Sequence, residues 1–170
     1  RAVRERGVET IYQDLALAGN LDIAANIFLG REPAGSRMLG TIDRRKMSAD
    51  ASVTLSELGF EIGDTGKRVK DLSGGLQQGV AIARAVHWKA RLLIMDEPTA
   101  SLDMEETQKI YALIRELKRK AISIILISHN LQDIFEVADS VFVMRLGKQV
   151  GLLKVADTTM DEVVRLIVGE

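Results

Sequence analysis

The sequence predicts an α/β fold, a mostly parallel sheet flanked by helices and preceded by a helix-rich segment. Three observations carry this. RLLIMDEP (91–98) and AISIILISH (121–129) are dense apolar runs that stop abruptly at polar residues, as buried parallel strands do. An amphipathic helical pattern separates them, the alternation that builds a parallel sheet. Upstream of Lys89 the apolar spacing is mainly helical.

Taken in order, VETIYQ (Val8 to Gln13) alternates and reads as a short strand. LDIAANIFLGRE (Leu21 to Glu32) reads as a helix, with Ile23, Asn26 and Ile27 at helical spacing. Pro33, Gly35 and Gly40 mark a loop. Asp43 to Leu58 is a second amphipathic helix with Asp43 as N-cap. Lys67 to Asp71 is a polar connector. LSGGLQQGVAIARAV (Leu72 to Val86) supplies a third helix, with Leu76, Val80 and Ala83 on one face. His87 and Trp88 read as packing or surface residues.

The run ending in Asp96-Glu97-Pro98 reads as a fully buried strand. Asp103 to Lys120 is a helix that buries Ile110, Leu113, Ile114 and Leu117. Asp103, with Glu106 three residues on, makes a capping-box variant. The next strand ends at His129, and a short helix follows from Leu131 to Ala138. SVFVMR and KQVGLL are strands around a turn at Gly147, and TMDEVVRLIV is a terminal helix.

A chain of 170 residues suggests one domain with a sizeable core. With 46% hydrophobic and 28% charged residues it is globular rather than disordered. A net charge of −1 argues against nucleic acid as a partner, which calls for a basic excess. The lack of cysteine excludes disulfides and thiolate metal sites, and two histidines argue against a histidine metal cage. The apolar runs fall far short of the roughly 20 residues a membrane span needs. No secretory signal is visible, so the default compartment is the cytoplasm.

Several stretches point to phosphate chemistry. In LLIMDEP an acid, Asp96, closes a buried strand, the Walker B form in which a carboxylate holds Mg²⁺ beside a nucleotide phosphate. The next acid, Glu97, is placed to polarise an attacking water. Ser73 caps a helix, and Gly74-Gly75 let backbone N–H groups approach an anion at its positive end. Strand ends deliver Asp96, Glu97, Ser128 and His129 to one edge, where ligands of such sheets collect. Each motif alone also has a plain structural reading: a polar strand end, an N-cap, a lone histidine. GDTGKR (63–68) approaches the form G-x-x-x-x-G-K-[ST], but Glu61 stands where the first glycine is needed and Arg68 replaces Ser/Thr.

The order is more specific than the parts. Gln13, LSGG at 72–75, LLIMDEP at 92–98, SLD at 101–103 and ISH at 127–129 together resemble the ATP-binding subunit of ABC transporters over nearly the whole chain. IYQDLALAGNLDIAANIFLGRE and ISHNLQDIFEVAD resemble most the ATPases of monosaccharide importers, the ribose, xylose and fructose group. The resemblance implies a P-loop NTPase (RecA-like) core, here truncated, with the helical subdomain of that family at 14–88 and the α/β core at 89–170. It implies ATP and Mg²⁺ as cofactors. Gln13 would be the Q-loop glutamine, touching Mg²⁺ or its water. Ser73, Gly74 and Gly75 would be signature residues, acting on an ATP held by a partner domain. Asp96 would hold Mg²⁺, Glu97 would be the general base, Asp103 would close the D-loop at the nucleotide, and His129 would contact the γ-phosphate.

Two features depart from the family. Leu76 stands where the signature continues with glutamine, and Gln77, which would partly substitute, lies about 100° further round the helix. The family's P-loop lies upstream of the Q-loop glutamine, and only 12 residues precede Gln13 here. The expectation is that Arg1 is an internal residue of a longer protein and that the 170-residue chain alone does not turn over ATP. The implied partners are a second ATP-binding domain (a homodimer or tandem copy), a transmembrane permease and, indirectly, a sugar-binding protein. The implied location is peripheral, on the cytoplasmic face of the inner or plasma membrane. Two alternatives remain. One is an inactive partner supplying only its signature face, the other a non-transport ABC ATPase.

Overall fold

The computed structural model describes residues 6–35 and 41–169. Arg1 and the loop marker Gly40 lie outside them. The chain forms two compact units, Arg1–Ile127 and Ser128–Glu170. The division expected near Trp88 falls inside the first.

The first unit holds a parallel sheet in the order β1 (Val8–Ile11), β2 (Leu92–Asp96), β3 (Ser123–Ile127). Ile11 pairs with Met95 and Met95 with Leu126. The helices are α1 (Ile23–Phe28), α2 (Arg44–Glu57), α3 (Gly74–His87) and α4 (Met104–Arg119). The polar connector contains a 3₁₀ turn, Val69–Asp71. Helix α3 packs on β1 and α4 on β3. Ile11, Leu93 and Met95 are buried with Ile110, Ile114 and Leu117 of α4.

Strands at 92–96 and 123–127 are therefore correct, but full burial is not. Burial alternates along both strands, and Ile125 and Ile127 are each 49% exposed. Side chains alternate faces along a strand, so helices on one face leave the other half of each apolar run outside.

Helix boundaries follow local chemistry. Asp43 caps α2, accepting from the Lys46 N–H at 2.9 Å, as the sequence predicts. α1 is shorter than predicted, six residues with Asp22 as its cap. It stops because the chain turns at Gly30 (φ +78°), where the Arg31 N–H returns to the Phe28 carbonyl. Asn26, fully buried in α1, was read merely as a helical position. Its Oδ1 accepts from the Ala18 N–H at 2.8 Å, and its Nδ2 donates to the carbonyls of Ala18 (3.0 Å), Asp22 (3.0 Å) and Leu21 (3.4 Å).

His87 and Trp88 end α3 as packing residues. Both stack edge-on against Phe28, and Trp88 donates to the Ile27 carbonyl at 3.0 Å. Burial pushes the His87 pKa below its usual 6.5, outweighing nearby Asp50 and reinforced by Lys46, and the Thr54 hydroxyl lies 3.1 Å from its Nδ1. A histidine with a depressed folded pKa binds fewer protons folded than unfolded. Its contribution is intact above the unfolded value and is lost as pH falls below it. Thermal denaturation should thus show stability declining from about pH 6.5 downward, with a shallower decline in His87→Gln. An identical pH profile for the two proteins would show that His87 is not the group responsible.

In the second unit, α5 (Leu131–Val137) precedes an antiparallel hairpin of β4 (Ser140–Arg145) and β5 (Lys148–Lys154), and α6 (Met160–Val168) packs on it. Leu146 and Gly147 both have positive φ (48° and 77°), the two-residue turn whose twist suits a hairpin. Val141, Val143 and Val163 are buried inside.

Candidate functional site

β1 and β2 run parallel, so their carboxyl ends share one sheet edge. Gln13 follows β1 in an exposed turn, and Asp96 closes β2, half-buried. At this edge the ladder continues one step beyond Asp96, because the Glu97 N–H donates to the Ile127 carbonyl at 2.9 Å. Glu97 is half-buried and has φ +49°, the left-handed region that a residue with a Cβ enters at a cost of about 1 kcal/mol or more. Strain of this sort is stored at working sites.

From Glu97 the chain turns through Pro98 to Leu102 and enters α4. The Asp103 carboxylate accepts from the Glu106 N–H at 2.8 Å, so it caps its own helix. Only half of the expected capping box forms. The Glu106 carboxylate crosses to α3, where its Oε1 accepts from the Gly75 N–H at 3.1 Å.

The start of α3 therefore meets the start of α4. Ser73 caps α3, its Oγ accepting from the Leu76 N–H at 3.4 Å, and Ser73 and Gly74 are exposed while Gly75 is buried. A Cβ on Gly74 would lie 3.2 Å from Leu102 Cδ2, and one on Gly75 would lie 2.9 Å from the Glu106 carboxyl. A side chain at either position would thus have to displace Leu102 or the Glu106 carboxyl. Gln77 donates through Nε2 to the Leu72 carbonyl at 3.1 Å, which ties its side chain to the preceding turn.

Arg84, near the far end of α3, was not anticipated. It donates to the carbonyls of Ala16 (3.0 Å) and Leu15 (3.2 Å), two residues with positive φ in the loop after Gln13. A lone arginine on a helix carries no signal of so distant a contact.

His129 belongs to the second unit, exposed in the turn before α5. Its neighbours hold that turn. Ser128 donates to Asp133 at 3.2 Å and accepts from the Asn130 N–H at 3.0 Å, while the Asn130 side chain donates to Asp133 at 2.8 Å and caps α5. Asp133, almost wholly buried, has a fixing role that the sequence did not reveal.

Among the described residues no group of three or more His, Asp and Glu could hold a metal by itself. Asp96 at a strand end nevertheless suits Mg²⁺, which takes one or two carboxylates and completes its shell with phosphate oxygens and water. The capped, glycine-bearing start of α3 suits an anion.

Residues 1–100 match the family model described as ABC transporter. The chain is 42% identical over 171 residues to the fructose import ATP-binding protein of Rhizobium meliloti, covering 98% of this chain and 66% of that protein. It is 46% identical over 163 residues to a ribose import ATP-binding protein of Streptomyces avermitilis, covering 96% of this chain but 30% of that one. This chain thus spans only part of either relative's length. In fold it resembles the dimeric structure of a bacterial ABC transporter cassette, with a TM-score of 0.72 and 21% identity over 90% of this chain and 65% of that one.

Proposed function

Because this chain belongs to the ABC transporter family, we propose that it is part of the ATP-hydrolysing subunit of a sugar importer. The observation that carries this reading is a pair of sites. One is the capped start of α3 with exposed Ser73 and Gly74. The other is the carboxylate pair, Asp96 and Glu97, closing β2. The first would receive the γ-phosphate of an ATP held by a second ATP-binding domain. Mg²⁺, when bound at Asp96 with Gln13 beside it, would neutralise phosphate charge. Glu97 would take a proton from the attacking water. His129 would donate to the γ-phosphate. Asp103, capping α4, would shape the turn between the two sites, and Gln77 would steady the signature turn through Leu72. Residues 14–88 would present the surface that meets a membrane permease on its cytoplasmic face. No helix among the described residues is long and apolar enough to cross a membrane, so attachment would be peripheral. The names of the relatives favour a monosaccharide as cargo, handed on by a sugar-binding protein.

The test is association. Mixed with a hydrolysis-deficient ABC domain that carries a P-loop, the chain should form a heterodimer in ATP and Mg²⁺ but not in ADP, read by light scattering. Ser73→Arg, which fills the phosphate approach with a bulky side chain, should abolish it. Association that ignores ATP, or survives Ser73→Arg, would sink the reading.

A second reading is a passive subunit that lends only its signature face. It is favoured by Leu76 at the fifth signature position and by the side chain of Gln77 being tied to Leu72.

A further inference from the structure

At the start of α3, three successive backbone donors have partners inside the chain. The Leu76 N–H meets Ser73 Oγ, the Gln77 N–H meets the Ser73 carbonyl, and the Gly75 N–H meets the Glu106 carboxylate. The third partner is unlike the others. It comes from 31 residues away, it is an acid, and it belongs to the helix that follows the Glu97 turn. In a completed capping box Glu106 would return to the Asp103 N–H. Here it reaches across to the positive end of another helix, where an anion is favoured. The approach leaves no room at residue 75 for even a methyl group.

We propose that Glu106 is a positioning residue and an internal competitor. Its carboxylate occupies the seat at Gly75 while the site is empty and must withdraw before a phosphate can take the same N–H. This deepens the proposed function and rests on its reading of Ser73 to Gly75 as the phosphate contact. A phosphate oxygen and the Glu106 carboxylate cannot share one donor, and two anions at that spacing repel. The carboxylate thus keeps the first turn of α3 formed before ligand arrives and raises the concentration of anion needed to enter. Its withdrawal also breaks the hydrogen bond that joins α4 to the tip of α3.

The experiment uses the whole 170-residue chain, labelled with ¹⁵N, with inorganic phosphate as the probe and the Gly75 amide as the reporter. Phosphate should move the Gly75 resonance in Glu106→Ala at a concentration roughly tenfold lower than in the unaltered chain, the size expected when a charged hydrogen-bond partner is removed. Glu106→Gln keeps the shape and drops the charge, so it should show most of the same shift and serves if the alanine form folds poorly. A merely structural role would weaken Gly75 protection against exchange and leave the phosphate midpoint where it was. Equal midpoints in all forms, or no response of Gly75 in any, overturn the proposal. A lowered midpoint without ATP-dependent association would leave Glu106 as competitor and remove the proposed function. Association with an unchanged midpoint would do the reverse.

Discussion

A chimera of the Rhizobium meliloti relative, with this chain in place of its matching segment, should hydrolyse ATP, and Glu97→Gln should slow turnover at least about a hundredfold. An amide cannot accept the proton of an attacking water, and a positioned base supplies a factor of about 10² to 10⁴. The substitution is close to isosteric, and glutamine meets the same left-handed backbone at φ +49° that glutamate does, so folding should be unaffected. ATP binding, followed with a fluorescent analogue, should persist, separating loss of chemistry from loss of affinity. Retention of more than a tenth of the turnover would remove Glu97 from the role of base. A chimera that binds ATP but never turns it over, even with Glu97 intact, would favour the passive subunit.

The second large effect is on stability. Asn26→Leu should lower the free energy of unfolding by about 2 kcal/mol, the cost of stranding the Ala18 N–H and removing the side-chain bonds to three carbonyls. Leucine has the same branched skeleton and is bulkier, so no cavity forms. What goes is the set of bonds to Ala18 and to the carbonyls of Leu21 and Asp22. The three carbonyls keep backbone bonds, Asp22 from the residue 26 N–H, Leu21 from the Val69 N–H and Ala18 from the Leu21 N–H, which leaves the Ala18 N–H as the chief loss. Urea denaturation of the two proteins measures the difference. A change under about 1 kcal/mol would mean that the 18–22 segment contributes little to the fold.

What the sequence made legible was local. Ser73, Asp43 and Asp103 could be read as caps because each bonds to an N–H three residues on. The strands at β2 and β3 could be read because their apolar runs end at polar residues, and Asp96 and Glu97 came with them. Long-range contacts were invisible. Neither the reach of Glu106 to Gly75 nor that of Arg84 to Leu15 and Ala16 leaves a trace in residue spacing. Gly79 is another case, since a Cβ there would meet the Phe60 ring at 2.7 Å. Asn26 was seen at a helical position with no indication that it binds the segment before it. The predicted helix at 21–32 ran too far because apolar periodicity does not register a turn at Gly30. Dense apolar strands say that burial is available, not on which face helices will land. That is why Ile125 and Ile127 were misjudged.

Helix α3 carries Ser73 at one tip and Arg84 eleven residues on, a span of about 16 Å at the rise of an α-helix. A helix this short, held on several sides, behaves as a stiff strut. The loop beyond Gln13 hangs on its far end through the Arg84 guanidinium, and the serine-glycine tip is built into the other. Any push on that loop arrives at the tip as displacement of one solid piece, with lateral error set by side-chain play at Arg84 rather than by bending in between.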